Sequence, residues 1–198
     1  HGMENLTEMI PGRCWLHPGR NYVEGGVGVM SKGGMAIRFN EDDARIMGRA
    51  AAGVKGIDLG EGDRVVGLIR AEAGTDLLTV TQNGYGKRTD LDEYLVQAED
   101  GARPQSRGGK GRIDIKTSGR NGDVVTIRRV TDEDGLMLMT SSGMLVRTNV
   151  SAVSRLGRNT QGVRVVRLRK GDSLIDCATT PPDEDEGVDV SPTEGMPE

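Results

Sequence analysis

Aromatic residues, cysteines and long apolar runs are all scarce in this chain of 198 residues. It contains one Trp, one Phe and three Tyr, so the predicted core consists of Val, Ile, Leu, Met and Ala rather than aromatic anchors. The two cysteines, Cys14 and Cys177, fit no metal or redox spacing and are interpreted as reduced thiols. No apolar run reaches the length of a membrane span and no signal-peptide pattern occurs, which predicts a cytoplasmic protein without a membrane partner.

Glycine is abundant, and charge is unevenly distributed. The 30 glycines are about twice the usual share, which argues against long helices. The net charge is −4, but the last 18 residues hold seven acids and no Lys or Arg. Residues 25–180 carry 24 basic against 20 acidic side chains. We therefore expect a mildly basic body followed by a disordered acidic tail at 179–198.

Three sequence blocks recur in the same order along the body. The first places Arg four residues after Gly, at Gly34/Arg38, Gly84/Arg88 and Gly143/Arg147. The second runs from Gly48-Arg49 to Gly53-Val-Lys55 and again from Gly157-Arg158 to Gly162-Val-Arg164, with a degenerate copy around Arg107 to Gly111. The third is a Gly-Asp pair at residues 62–63, 122–123 and 171–172. Such recurrence predicts a repeat protein.

Each repeat has the pattern of short strands joined by tight turns. Residues 32–34, 82–84 and 141–143 are predicted to be primed hairpin turns, and 41–47 and 90–95 single helical turns. About 50 residues and four strands per repeat are typical of a propeller blade. The sequence thus predicts an all-β, propeller-like open arc of three blades, at about 25–76, 77–135 and 136–178. Residues 1–24 are then an atypical N-terminal extension.

The repeat motifs resemble those of one family. The run from Thr79 to Thr89 (TVTQNGYGKRT), the segment from Gly48-Arg49 to Ile57, and the run from Gly157 to Val163 resemble the C-terminal domain of bacterial DNA gyrase A. The resemblance implies a β-pinwheel that wraps double-stranded DNA, of which this chain matches the last three of six blades. It also implies partnership with the N-terminal breakage-reunion domain of gyrase A and with gyrase B, in a bacterial, nucleoid-associated enzyme that supports ATP-dependent negative supercoiling.

The resemblance covers no catalytic part. The domain with the catalytic tyrosine is absent, so this chain is not expected to be an enzyme by itself, and no catalytic or metal site is predicted. No cofactor is expected here, since ATP and Mg²⁺ are implied for the holoenzyme only. The segment Gln105, Arg107, Gly108, Gly109, Lys110 and Gly111 resembles the family's DNA-wrapping box, but Ser106 replaces one of its basic residues. It is interpreted as a relic of the repeat, with a genuine box as the alternative.

The predicted DNA-binding residues are basic side chains that recur near turns. Copies at equivalent positions should face one edge of the arc and contact phosphates without reading bases. The set comprises Arg38, Arg49, Lys55, Lys87, Arg88, Arg107, Lys110, Arg112, Arg147, Arg158 and Arg164. The alternatives are that these are merely solvated strand faces, and that the chain is a propeller-like protein-interaction scaffold without DNA binding.

Overall fold

The computed structural model describes residues 15–16, 26–44, 47 and 50–181. Fifteen strands occur in these ranges: β1 Trp15–Leu16, β2 Gly26–Ser31, β3 Met35–Asn40, β4 Val54–Lys55, β5 Val65–Ala71, β6 Asp76–Thr81, β7 Tyr85–Asp90, β8 Val96–Ala98, β9 Gly101–Arg103, β10 Arg112–Ile113, β11 Val124–Val130, β12 Gly135–Thr140, β13 Leu145–Asn149, β14 Val163–Arg164 and β15 Leu174–Thr180. Helical backbone in the described ranges is limited to 3₁₀ turns at Glu41–Asp43, Leu91–Tyr94 and Val150–Ala152. The all-β prediction is confirmed. Of the tail predicted to be disordered at 179–198, Thr179 and Thr180 instead belong to β15, which pairs with β12. The residues after Pro181 and most of the predicted N-terminal extension lie outside the described residues.

Three antiparallel sheets correspond to the three predicted repeats. The first has the strand order β10-β3-β2-β5, the second β11-β6-β7-β14, and the third β13-β12-β15. In each sheet a hairpin pairs on one side with a long strand that starts just after the Gly-Asp block. The described sheets do not close into a ring, as expected for an open propeller-like arc.

In each of the first two sheets, the outer strand that pairs with the second strand of the hairpin comes from the following repeat. β10 pairs with β3 through Arg112 and Ala36, although the whole second hairpin lies between them in the sequence, and β14 pairs with β7 in the same way. Each of these two sheets therefore includes a strand from beyond the predicted repeat boundary, which lies at 76 for the first sheet and at 135 for the second. The boundaries themselves remain a prediction of how the chain divides into blades. Among the described residues, the third sheet has no such outer strand on β13.

The short pair β1–β4 repeats this geometry. Trp15 pairs with Lys55 and Leu16 with Val54, just as Tyr85 pairs with Arg164 and Gly86 with Val163. The segment Trp15–Leu16 thus occupies the place that the second hairpin strand takes in a complete repeat. The sequence patterns do not place any of residues 1–24 in the repeats, because a strand of only two residues, Trp15–Leu16, is too short to show a repeat pattern.

The hairpin turns occur at the predicted positions but have a different backbone. Only the last residue of each turn, Gly34, Gly84 or Gly143, has positive φ, at 86°, 79° and 84°. The predicted primed turns are therefore wrong. The loops of the first two hairpins have three residues and end in a left-handed glycine, whereas in the third hairpin Met144 follows the left-handed glycine before β13 begins. Asp172 of the third Gly-Asp block accepts hydrogen bonds from Ser141 and Ser142 in the turn beside it, and the Ser141 bond is the main reason why the pKa of Asp172 lies well below its usual range.

Two of the three core clusters lie between successive sheets. One cluster, with Met30, Ile69, Leu77 and Ile127, fills the space between the first and second sheets. A second, with Leu78, Val130, Leu136 and Leu174, joins the second and third sheets. Aliphatic side chains dominate as predicted, but the few aromatics are not peripheral, since Phe39 and Tyr94 are fully buried. A third cluster, which contains Phe39, lies within the first repeat, so burial of apolar area stabilises that repeat from inside as well as through its neighbour.

Candidate nucleic-acid interface

The arginines that follow the first two hairpin turns connect consecutive repeats. Arg38 donates from Nη1 to the carbonyl of Leu91 (2.8 Å) and to Asp92 (2.9 Å), both at the 3₁₀ turn of the next repeat. Arg88 donates from Nε to the carbonyl of Val153 (2.8 Å), again at the next repeat's 3₁₀ turn. The two guanidinium groups therefore bond to neighbouring repeats instead of projecting into solvent.

Arg88 is further restrained by carboxylates. It pairs with Asp132 and lies 3.6 Å from Asp76, and its side chain is only 8% exposed. The predicted DNA contact of Arg88 therefore gains no support from its placement, because the side chain is buried and its Nε and Nη1 groups bond to the protein. The side chain of Arg38 is 13% exposed and pairs with Asp92, so its placement favours a link between repeats, although its buried Nε has no hydrogen-bond partner. Arg147, the third copy, is exposed, since no later repeat covers it within the described residues.

Lys87 is also among the predicted interface residues, but it is completely buried. Its ammonium group lies 2.9 Å from a carboxylate oxygen of Asp114 and donates to the carbonyls of Asp114 (2.8 Å) and Gly157 (2.9 Å). Tyr94 and Thr79 donate to the same carboxylate at 2.5 and 2.7 Å. Burial lowers the pKa of Lys87, and the negative charge of Asp114 opposes that shift. The prediction for Lys87 is therefore wrong, because this ammonium ion joins two repeats inside the protein.

The box-like segment occupies the same structural place as the second repeat block. Gly108 N–H donates to the carbonyl of Gly56 (2.6 Å), and Asn159 N–H donates to the carbonyl of Asp114 (2.7 Å). Gly108 and Asn159 also share a positive φ, at 78° and 61°. The correspondence supports the interpretation of residues 105–111 as the middle copy of the repeat block.

Within this segment the two basic side chains differ in accessibility. Arg107 is half-buried and donates to the carbonyls of Asp43 (2.7 Å) and Lys55 (3.2 Å), so it attaches the loop to the first repeat. Lys110 is exposed. A hydrogen bond from Lys55 and its charge, together with the charge of Lys110, lower the pKa of Asp58. Of the two basic residues in the segment, Lys110 is the better placed for a phosphate.

The remaining predicted residues line the seams between repeats. Lys55 and Arg164 are exposed, whereas Arg112 and Arg158 are half-buried. Arg112 and Arg158 line one shallow groove together with Glu93 and Asn159, at the junction of the second and third repeats. The groove thus brings together two basic side chains that are far apart in the sequence, while Arg49 lies outside the described residues.

One basic residue at this junction is missing from the predicted set. Arg120 donates from Nε to the hydroxyl of Tyr85 (3.3 Å), and Arg164 donates from Nη2 to the same oxygen (2.9 Å). Both guanidinium groups lie over the Tyr85 ring, 5.1 and 5.4 Å from its centroid. The sequence contains a pattern that could have indicated Arg120 as a repeated basic position, since Arg120 and Arg169 both lie two residues before the glycine of a Gly-Asp block.

Neither a metal-binding cluster nor a helix fit to span a membrane occurs among the described residues. No three His, Cys, Asp or Glu side chains in these ranges come close enough to hold a metal ion. No helix in the same ranges has the length and apolar character to cross a bilayer. What the surface does present is a set of arginine and lysine side chains at the edges where repeats meet.

Solved structures with a similar fold include two type II topoisomerase domains. A DNA gyrase A C-terminal domain superposes with a TM-score of 0.70 at 30% identity, covering 80% of this chain and 52% of that one. The C-terminal domain of a DNA topoisomerase IV superposes with a TM-score of 0.71 at 22% identity, which supports the fold alone.

Sequence relatives point to the same group. DNA gyrase A of Haloquadratum walsbyi is 47% identical over 154 residues, and that of Salmonella typhimurium is 44% identical over 171 residues. These matches cover 77% and 84% of this chain but only 17% and 19% of the relatives, so the chain spans less than a fifth of their length. The family model for the DNA gyrase C-terminal domain, a β-propeller, matches residues 29–72, 75–131 and 136–181. With three successive matches that follow the three sheets, the chain belongs to the DNA gyrase C-terminal domain family.

Proposed function

We propose that this chain binds double-stranded DNA along the basic seams between its repeats and bends or wraps it. The observation that carries the proposal is two pairs of arginines, each of which joins the second and third repeats: Arg112 and Arg158 in one groove, and Arg120 and Arg164 on Tyr85. Only Arg158 in this set has a carboxylate within ion-pairing distance in the described structure, Glu93 at 3.8 Å. Guanidinium groups without a carboxylate partner on an exposed edge attract a polyanion by releasing its counterions.

The described surface favours contact with the DNA backbone over reading of bases. A protein reads base edges by inserting a helix or a strand pair into a groove, and the described residues have no α-helix to insert. The aromatic side chains Phe39, Tyr85 and Tyr94 are buried, so they form no exposed platform on which single-stranded bases could stack. Binding should therefore depend on charge and DNA shape, with little sequence preference.

In the cell, we infer that the domain acts as the DNA-holding part of DNA gyrase A, a component of a type II topoisomerase, and supports ATP-dependent negative supercoiling. Its partners would be the N-terminal breakage-reunion domain of gyrase A and gyrase B, in the bacterial cytoplasm at the nucleoid. ATP and Mg²⁺ would act on those parts of the holoenzyme.

The proposal is tested by fluorescence anisotropy with labelled duplexes of about 40 and 150 base pairs, over a series of salt concentrations. We expect the logarithm of the binding constant to fall linearly with the logarithm of salt, by roughly 0.9 per phosphate contact. Changing Arg112 and Arg158 together to Gln should reduce the slope by roughly two. The matched control is Arg129→Gln, because Arg129 is exposed but already paired with Glu72.

Two results would contradict the proposal. A chain that folds but binds neither duplex would favour the protein-interaction scaffold instead. If the double variant bound DNA with an unchanged salt dependence, the DNA would have to contact a different part of the surface. Circular dichroism and thermal unfolding of each variant separate these outcomes from a loss of fold.

A further inference from the structure

Two arginines that converge on one tyrosine are unusual for this protein. Several of its other described arginines have a carboxylate partner: Arg38 with Asp92, Arg128 with Asp176, Arg129 with Glu72, and Arg155 with Asp76 and Asp90. Arg120 and Arg164 instead share the hydroxyl oxygen of Tyr85, and neither forms an ion pair with a described carboxylate. Two like charges that bond to the same hydroxyl oxygen without a counter-ion raise the energy of the unbound protein, and an anion would relieve that repulsion.

The backbone around this pair holds both arginines in place. Arg164 belongs to β14 and lies directly opposite Tyr85 of β7, so its position is set by strand pairing. Arg120 lies in the loop before Gly122, beside the fully buried Asn121. The Asn121 amide donates to the carbonyls of Lys116 (2.9 Å) and Gln161 (3.1 Å), and its oxygen accepts from Ser118 N–H (2.8 Å). The loop is therefore fixed from inside the protein, and the guanidinium of Arg120 is preorganised.

Donor groups remain available for a ligand. A guanidinium has five N–H donors, and Arg164 uses one on Tyr85, while Arg120 uses one on Tyr85 and one on the side-chain oxygen of Gln161 (3.4 Å). Hydrogen bonds from Arg120 and then Arg164 lower the pKa of Tyr85, which means that this point of the structure stabilises negative charge. Paired guanidinium forks match the oxygens of a phosphate group.

The first seam lacks this arrangement and so provides an internal comparison. Ile113 lies opposite Met35 in the register where Arg164 lies opposite Tyr85. Both seams are built from the same backbone pairing, so the difference lies in the side chains alone. The arrangement is therefore a local chemical feature of the second seam and not a requirement of the fold.

We propose that Arg120 and Arg164, oriented by Tyr85, form a clamp for a single backbone phosphate of bound DNA. This inference rests on the proposed function and names a site within it. Arg120 and Arg164 are exposed at a sheet edge, where a duplex can approach. A polyanion is favoured over a free anion, because other phosphates of the same duplex can contact the groove that Arg112 and Arg158 line between the same two repeats.

The first test uses the anisotropy assay with Arg120→Gln, Arg164→Gln and the double variant. Each single change should weaken duplex binding about threefold to tenfold at low salt and reduce the salt slope by roughly one. Tyr85→Phe keeps the ring but removes the shared oxygen, so we expect a smaller loss with the slope nearly retained. Arg129→Gln is the control, and thermal unfolding confirms that each variant folds.

A second test distinguishes a DNA phosphate from a free one. In a Tyr22→Phe background the change in phenol absorbance on ionisation reports Tyr85, because burial and then Asp114 raise the pKa of Tyr94 well above its usual range. A duplex bound in the clamp should raise the pKa of Tyr85, since a nearby anion disfavours the phenolate. Inorganic phosphate at the same phosphate concentration and ionic strength should raise it much less.

The outcomes separate the clamp from the proposed function. If the unaltered chain binds no duplex, the proposed function and the clamp both fail. If it binds and the Arg120 and Arg164 variants keep the full salt slope, the clamp alone fails. If inorganic phosphate shifts the Tyr85 titration as strongly as the duplex does, the site binds free phosphate, and the assignment to DNA is overturned.

Discussion

Arginine stands at the same place after each hairpin turn, but its three copies meet three different environments. Arg38 and Arg88 reach the 3₁₀ turn of the next repeat, whereas Arg147 is exposed on the third hairpin. Periodicity therefore indicates that a residue has a repeated place, and it does not indicate whether that place is covered. Lys87 illustrates the same point, because it precedes Arg88 in a motif rich in polar residues and is nevertheless completely buried.

The buried pair of Lys87 and Asp114 leads to a stability prediction. Lys87→Met should lower the free energy of unfolding by about 3–5 kcal/mol, since Asp114 is left as a buried charge without its partner. Adding Asp114→Asn should recover part of the loss, because the neutral amide needs no counter-ion. Urea unfolding followed by circular dichroism measures both.

The matched control is Lys116→Met, at an exposed lysine two residues from Asp114. It should change the free energy of unfolding by no more than about 0.5 kcal/mol. A Lys87→Met protein as stable as this control would mean that the buried ion pair contributes nothing to the fold.

At the scale of single elements, the hairpins show what local sequence can and cannot determine. Turn positions follow from the glycines, and all three were predicted correctly. β5 and β11, which contain short apolar runs, are only partly buried, whereas β6 is buried at every residue. β6 lies in the middle of the second sheet, between the two main core clusters. Its Asp and Thr residues are polar, so its sequence does not indicate that the whole strand is buried.

Two turn glycines with the same backbone differ in their surroundings, which allows a matched experiment. A Cβ on Gly84 would lie 2.5 Å from the carbonyl oxygen of Val166, whereas a Cβ on Gly143 would meet no atom within 4 Å. Gly143→Ala should lower the free energy of unfolding by about 1–2 kcal/mol, because alanine is strained in the left-handed backbone conformation. Gly84→Ala should cost about 1–3 kcal/mol more, because the third repeat must move.

Thermal or urea unfolding of the two alanine variants measures this difference. Equal losses of unfolding free energy would show that the segment at Val166 can move away from the Gly84 turn without destabilising the protein. A larger loss for Gly84→Ala would confirm that the turn of one repeat is packed against the chain of the next.

For the whole molecule, stability depends on the links between repeats. Core clusters, outer strands, Arg38, Arg88 and Lys87 all connect a repeat to the following one. In such a linear array, weakening one interface reduces cooperativity between its two sides. Arg88→Ala should therefore allow residues 135–180 to unfold at lower denaturant than residues 26–113.

Hydrogen exchange at increasing urea concentrations resolves the two regions. Arg147→Ala is the control, because Arg147 is the repeat equivalent of Arg88 on a hairpin that no later described repeat covers. A single transition for Arg88→Ala, shared by both regions, would contradict the prediction and place the coupling in the apolar core alone.

The sequence by itself determined the class of fold, the number of repeats and the positions of the turns. These properties follow from local signals, namely glycine at turns, alternation along strands and recurrence of whole blocks, which act over a few residues. It also carried the family resemblance, through motifs such as the run from Thr79 to Thr89.

Only the tertiary structure decided which basic side chains face solvent. The exchange of an outer strand between repeats covers Lys87 and Arg88 with the 150–157 segment and brings Arg120 and Arg164 together on Tyr85. These contacts join residues 35–79 positions apart, and their geometry depends on how successive sheets stack and pair. A pattern that repeats along the chain cannot contain that information, because burial is set by the neighbouring repeat and not by the residue's own.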